Sequence, residues 1–203
     1  MSGRYGIGST HYLNRAKEQL QRNTPSSLFY AAFELRCYVE ARQDEYLDAQ
    51  REYARSIPRA FKIGAQGKQL DRLFQSSSIQ HVTWVTGEVV VECYHVPVSS
   101  KLRNAAEKLG QLLHAQMKLR VEDDPWWGAT RDWLKDIYRN AWTCARGNLL
   151  SPLFLENGKT VGKFTVEVSD QYKLQELMRP GTKGVLRVEY LKSAPRSWMC
   201  DLG

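Results

Sequence analysis

Four histidines, His11, His81, His95 and His114, are the candidates for proton transfer near neutral pH. His114 lies in a helical pattern that also carries Arg103, eleven residues earlier. Eleven residues make three turns, so the two side chains share a helix face yet stand about 16 Å apart along its axis. That is too far for a direct acid–base pair. Catalysis by Arg103 and His114 needs Glu107 or a neighbouring helix to converge on them. The competing reading of His114 is a histidine at the edge of a core face.

Metal chemistry gets as far as two histidines and a carboxylate. A two-residue turn at Thr86-Gly87 would set His81 opposite Glu92, with His95 on the same ladder. No further ligand converges with them, so no metal site is expected. Cys37, Cys93, Cys144 and Cys200 are far apart, with no Cys-x-x-Cys pair, and are expected as free thiols. The chain has no phosphate-cradling glycine loop, no Gly-x-Ser-x-Gly and no His-Glu-x-x-His, and it implies no cofactor.

Charge is more informative. The formal net charge is +7 and the pI about 9.3, a balance that favours phosphate-bearing partners. Arg51, Arg55, Arg59, Lys62, Lys68 and Arg72 form the densest basic run, interrupted only by Glu52 and Asp71. Arg51 and Arg55 would share a helical face. A basic helix end that projects and is followed by a glycine-containing loop suits phosphate contacts, against the plainer reading of a solvated face. A second group, Glu34, Arg36, Glu40 and Arg42, sits inside an apolar stretch where unpaired charge is costly. Arg36 and Glu40 are placed to pair along a helix, and Glu34 can pair with neighbours near Tyr38, so the group reads as a structural polar network.

The elements that must position these residues follow from periodicity and punctuation. Residues 1–8 read as an arm. Ser9 or Thr10 caps a first helix to about Arg22, and Thr24-Pro25 opens a central helix that runs to about Ser56. Its first half, Leu28 to Glu40, is apolar on nearly every side, which predicts packing all round. Its second half is amphipathic and charged and is expected to project beyond the core. Gly64 and Gly67 mark a loop before a short helix from Lys68 to Gln75. Two further helices run from Lys101 to about Lys118 and, after Asp124-Pro125, from Trp126 to about Arg146. Hairpins are expected around Thr86-Gly87 and Asn157-Gly158, and a final strand from Val185 to Leu191. Trp126, Trp127, Trp133 and Trp142 on one helix read mainly as core, with Trp127 or Trp142 as candidate interface anchors.

The reading is one α+β domain over 1–203: helical in 1–75, a β-hairpin in 76–98, helical in 99–150 and β-rich in 151–203. A helical core carries a small antiparallel sheet built from both hairpins and the last strand. No stretch approaches the roughly 20 apolar residues of a membrane span, and the first ten residues lack an apolar signal region. A cytoplasmic location with no membrane partner is expected.

The segments Leu28-Phe29-Tyr30-Ala31-Ala32-Phe33-Glu34-Leu35-Arg36, Val39-Glu40-Ala41-Arg42 and Lys108-Leu109-Gly110-Gln111-Leu112-Leu113-His114-Ala115 resemble the HEPN-like helical bundles of bacteria. The likeness extends to Asp123-Asp124-Pro125-Trp126-Trp127, which resembles small bacterial proteins sharing this start. It covers the four main helices and leaves both hairpins outside. It implies a four-helix core, and a setting in bacterial antiviral defence or phage-related systems. Many such proteins are metal-independent ribonucleases, using an Arg followed four to six residues later by a His late in the bundle. Here the helix from Trp126 to Arg146 holds Arg131, Arg139 and Arg146 and no His. The nearest match, Arg4 to His11, lies in the N-terminal arm. Two functional readings therefore stand. One is a non-catalytic binding protein that recognises RNA, DNA or a protein partner, including a second copy through the long helix. The other is a divergent HEPN-like ribonuclease.

Overall fold

The computed structural model describes residues 5–51, 62–74, 77–86, 89–114, 116, 118–156, 159–161, 184–200 and 202. Its helices are α1 (Ser9–Arg22), α2 (Pro25–Ala49), α3 (Ile63–Phe74), α4 (Ser100–Leu113) and α5 (Pro125–Ala145). Strands β1 (Ile79–Thr86), β2 (Val89–His95) and β5 (Val185–Leu191) form an antiparallel sheet in the order β2-β1-β5. Strands β3 (Phe154–Glu156) and β4 (Lys159–Val161) pair, among the described residues, only with each other. The architecture is α+β, but the expected sheet of two hairpins and a last strand is corrected: the last strand joins the first hairpin, and the second hairpin stands apart.

Local chemistry accounts for the helix starts. At α2 the Thr24 hydroxyl accepts from the Ser27 amide at 3.2 Å, the Ser27 hydroxyl accepts from the Thr24 amide at 2.9 Å, and Pro25 occupies the first helical position. The Ser99 hydroxyl caps α4 by accepting from the Leu102 amide at 3.2 Å, and the Asp124 carboxylate caps α5 by accepting from the Trp126 amide at 2.9 Å. Helix α1 takes its cap from another element. The Glu45 carboxylate of α2 accepts from the Ser9 amide at 2.9 Å and the Ser9 hydroxyl at 2.8 Å, placing negative charge at the positive end of the helix. Asn23 ends α1 in the left-handed conformation, φ 57°, which suits asparagine.

Three expected boundaries move. Helix α2 ends at Ala49, so Arg51 lies beyond it, while Arg55 falls outside the described residues. Gly64 and Gly67 sit inside α3 rather than in a loop before it. Helix α4 stops at Leu113, with His114 as its cap residue in extended backbone.

The second half of α2 does not project. Arg42, Gln43, Tyr46, Leu47 and Gln50 are buried. Its polar members bond to the segment that follows α5: Arg42 donates to the Gly147 carbonyl, and Gln50 donates to the Ser151 hydroxyl. Tyr46 donates to the Val96 carbonyl at 2.6 Å. Polar side chains that satisfy carbonyls of a packed segment can be buried at little cost, which a pattern based on hydrophobicity misses.

The same segment holds the sheet. The Leu149 amide donates to the Tyr94 carbonyl, Asn148 accepts from the Tyr94 amide, and Leu149 offers its carbonyl to His95 Nδ1, each at 2.9 Å. Gln80 uses both ends of its amide on Leu153, at 2.7 Å and 2.6 Å. The helices bury one apolar cluster around Leu35, Tyr38, Leu109 and Ile137. Val82, Cys93, Leu149 and Leu153 form a smaller one beneath the sheet. The four cysteines are free, and no described helix is long and apolar enough to cross a membrane.

Candidate functional site

A cleft of about 810 Å³ opens where α2, α3 and α4 meet. Its wall carries four cations, Arg36, Lys62, Lys68 and Arg103, against two carboxylates, Asp71 and Glu107. Two glycines let α3 and α4 approach. A Cβ on Gly67 would come within 2.6 Å of Arg103, and one on Gly64 within 2.7 Å of Glu107. Space freed by the missing side chains is thus filled by charged side chains of α4.

The cations are not equivalent. Arg103 is held by both oxygens of Asp71, at 2.9 and 2.8 Å, and also donates to the Gly67 carbonyl at 3.3 Å. A bidentate pair of this kind fixes the guanidinium as part of the wall. Arg36 pairs with Glu40 at 2.9 Å, and burial raises the Glu40 pKa against the opposing pull of Arg36. Lys62 and Lys68 are exposed and make no ion pair among the described residues. Lys62 immediately precedes α3, and Ile63, Gly64 and Ala65 of its first turn also line the cleft. The first amides of a helix have no acceptor within it and carry the positive end of its dipole. Two ammonium groups with no ion pair among the described residues thus stand beside that helix start.

Other members of the basic run lie apart from this wall. Arg72 is exposed in the last turn of α3, and Arg51 pairs with Asp48 at 2.7 Å on the surface beyond α2. Arg55 and Arg59 lie outside the described residues.

Arg103 and His114 open onto different places. His114 borders a second, apolar groove of about 710 Å³, lined by Phe29, Tyr30, Phe33, Leu112 and Leu113. Tyr30 and Phe33 are 62% and 46% exposed, so the first half of α2 is not packed all round. An apolar residue at every turn had concealed which ones lack a neighbour.

The polar network divides. Glu34 pairs with Arg15 of α1 at 3.0 Å rather than with a neighbour near Tyr38. Arg42 is 1% exposed, pairs with Glu45 at 3.0 Å, and lies 4.7 Å from the centre of the Tyr46 ring.

The hairpin register differs from expectation. Thr86 pairs with Val89, so His81 stands opposite Tyr94, on which it stacks at 4.3 Å, and not opposite Glu92. Glu92 and Glu189 reach opposite ring nitrogens of His81, at 3.3 and 3.6 Å, and therefore cannot share one metal with it. No cluster with metal-binding geometry occurs among the described residues. His95 is buried against Tyr46 and Phe74, and burial lowers its pKa to about 4. It is a neutral core histidine.

Comparison with protein-family models, curated proteins and solved structures finds no match to this chain.

Proposed function

We propose that this protein is a non-catalytic nucleic-acid-binding protein, and that the cleft between α3 and α4 receives the phosphate backbone. The observation that carries the reading is the pairing of Lys62 and Lys68, both without an ion-pair partner among the described residues, with the first turn of α3 on one wall. Cations left without an ion pair beside a helix start supply the counterion-releasing contacts that dominate nucleic-acid affinity. The net charge of +7 acts in the same direction at longer range.

The ribonuclease reading draws less support. It needs a histidine beside an arginine, yet Arg103 is locked by Asp71 in the cleft while His114 borders the other groove. The HEPN-like resemblance of α2 and α4 remains a reason to use RNA as the first probe.

The test is fluorescence anisotropy with labelled RNA and DNA, at about 50 and about 200 mM salt, on wild type and Lys62→Glu/Lys68→Glu. Expected is binding that weakens with salt and falls by about tenfold or more in the double variant. Absence of binding at low salt would refute the proposal. Strand cleavage in the same samples, seen on a denaturing gel, would replace it with the nuclease reading.

A further inference from the structure

The basic cleft and the apolar groove follow one another along the α2–α4 contact. Arg36 lines the cleft, while Phe33 and Tyr30, three and six residues before it on α2, line the groove. At the helical rise these rings lie only about 4.5 and 9 Å along the axis from Arg36. On α4 the order runs the other way: Arg103 and Glu107 face the cleft, and Leu112 and Leu113 face the groove. Between the two halves, Arg36 donates to the Ala106 carbonyl at 3.5 Å and lies against Gly110, where a Cβ would come within 3.0 Å of it.

We infer that the ligand is single-stranded nucleic acid, with its phosphates against Lys62 and Lys68 and its bases stacked on Tyr30 and Phe33. This rests on the nucleic-acid reading above and narrows it. Neither half alone specifies a single strand; their continuity does. A duplex presents phosphates and hides the faces of its bases, whereas a single strand offers charge and aromatic faces together, the combination that cationic grooves with aromatic platforms accept. Charge in the apolar half does not oppose the strand. Its one described carboxylate, Glu34, is paired with Arg15 at 3.0 Å and faces the Tyr5 hydroxyl at 3.5 Å. Phe29 meets Trp127 edge to face at 6.0 Å, which braces the helix behind the exposed rings. The exposed imidazole of His114 adds a hydrogen-bonding edge at the end of the groove.

The experiment compares a labelled single-stranded oligonucleotide with a duplex of equal length, on wild type, Tyr30→Ala/Phe33→Ala and Tyr30→Phe/Phe33→Tyr. Both rings are exposed, so the alanine pair keeps the fold, which circular dichroism checks. Wild type is expected to prefer the single strand. The alanine pair should lose about 10- to 100-fold in single-strand affinity with an unchanged salt slope, because base stacking and not phosphate contact is removed. The ring-conserving pair should bind as wild type does. Equal affinity for duplex and single strand, or wild-type affinity in the alanine pair, would overturn this inference and leave the cleft reading standing. If wild type binds neither probe, the cleft reading fails first and this one with it.

Discussion

His95 and Arg42 show two ways in which a polar side chain can be kept in a core. His95 is fully enclosed, donates through Nδ1 to the Leu149 carbonyl, and is held neutral by burial, with a pKa lowered to about 4. Its free value is about 6.5, so between those limits the unfolded chain binds more protons than the folded one, and stability falls as pH falls. The loss should reach about 2 kcal/mol between pH 7 and pH 5. Urea unfolding at the two pH values measures it, and His95→Leu should flatten the difference. Arg42 keeps its charge and satisfies it with Glu45 and the Gly147 carbonyl. Arg42→Ala should cost about 3 kcal/mol or more, since it leaves those acceptors unmatched and opens space in the core. A shift in the denaturation midpoint at constant slope is the readout.

At the scale of elements, glycines mark where backbones or side chains meet. Gly147 follows α5 with its α-carbon against β2: a Cβ there would lie 2.9 Å from the Val96 amide nitrogen and 3.1 Å from the Tyr94 carbonyl oxygen. Backbone atoms cannot step aside, so Gly147→Ala should destabilise by about 1–3 kcal/mol. Gly128, within α5, has nothing within 4 Å of such a position, and Gly128→Ala should stabilise by up to about 1 kcal/mol through helix propensity. Thermal unfolding of the two variants should move in opposite directions. The elements were largely legible where caps and proline punctuate the sequence, as at Thr24-Pro25, Ser99 and Asp124-Pro125. They were not where glycine serves packing: Gly64 and Gly67 look like a loop in sequence and are a helix face in space.

For the molecule as a whole, composition indicates the basic character and periodicity the α+β class, but spatial pairing decides which residues meet. Lys62, Lys68 and Arg103 could each be named from sequence; that Asp71 would immobilise Arg103 depends on how closely α3 and α4 approach. The offset of His81 from Glu92 likewise follows from register, a property of two strands together. Helices and sheet are joined through residues 147–153, so they should unfold together. Far-ultraviolet circular dichroism and tryptophan fluorescence should give coincident urea transitions; separate midpoints would refute that coupling.

The stitch after α5 also bears on how such a chain can be subdivided. One short stretch accepts the guanidinium of α2, pairs with the end of β2 and meets Gln80 of β1. A fragment ending at α5 would keep every described helix and lose the Gly147 carbonyl that accepts from Arg42, so the helical bundle is no transplantable module. Recombination at that point should produce insoluble halves, whereas exchange of the exposed residues that line the cleft should leave the scaffold intact. The boundary drawn by secondary structure is therefore the place where the chain is least divisible.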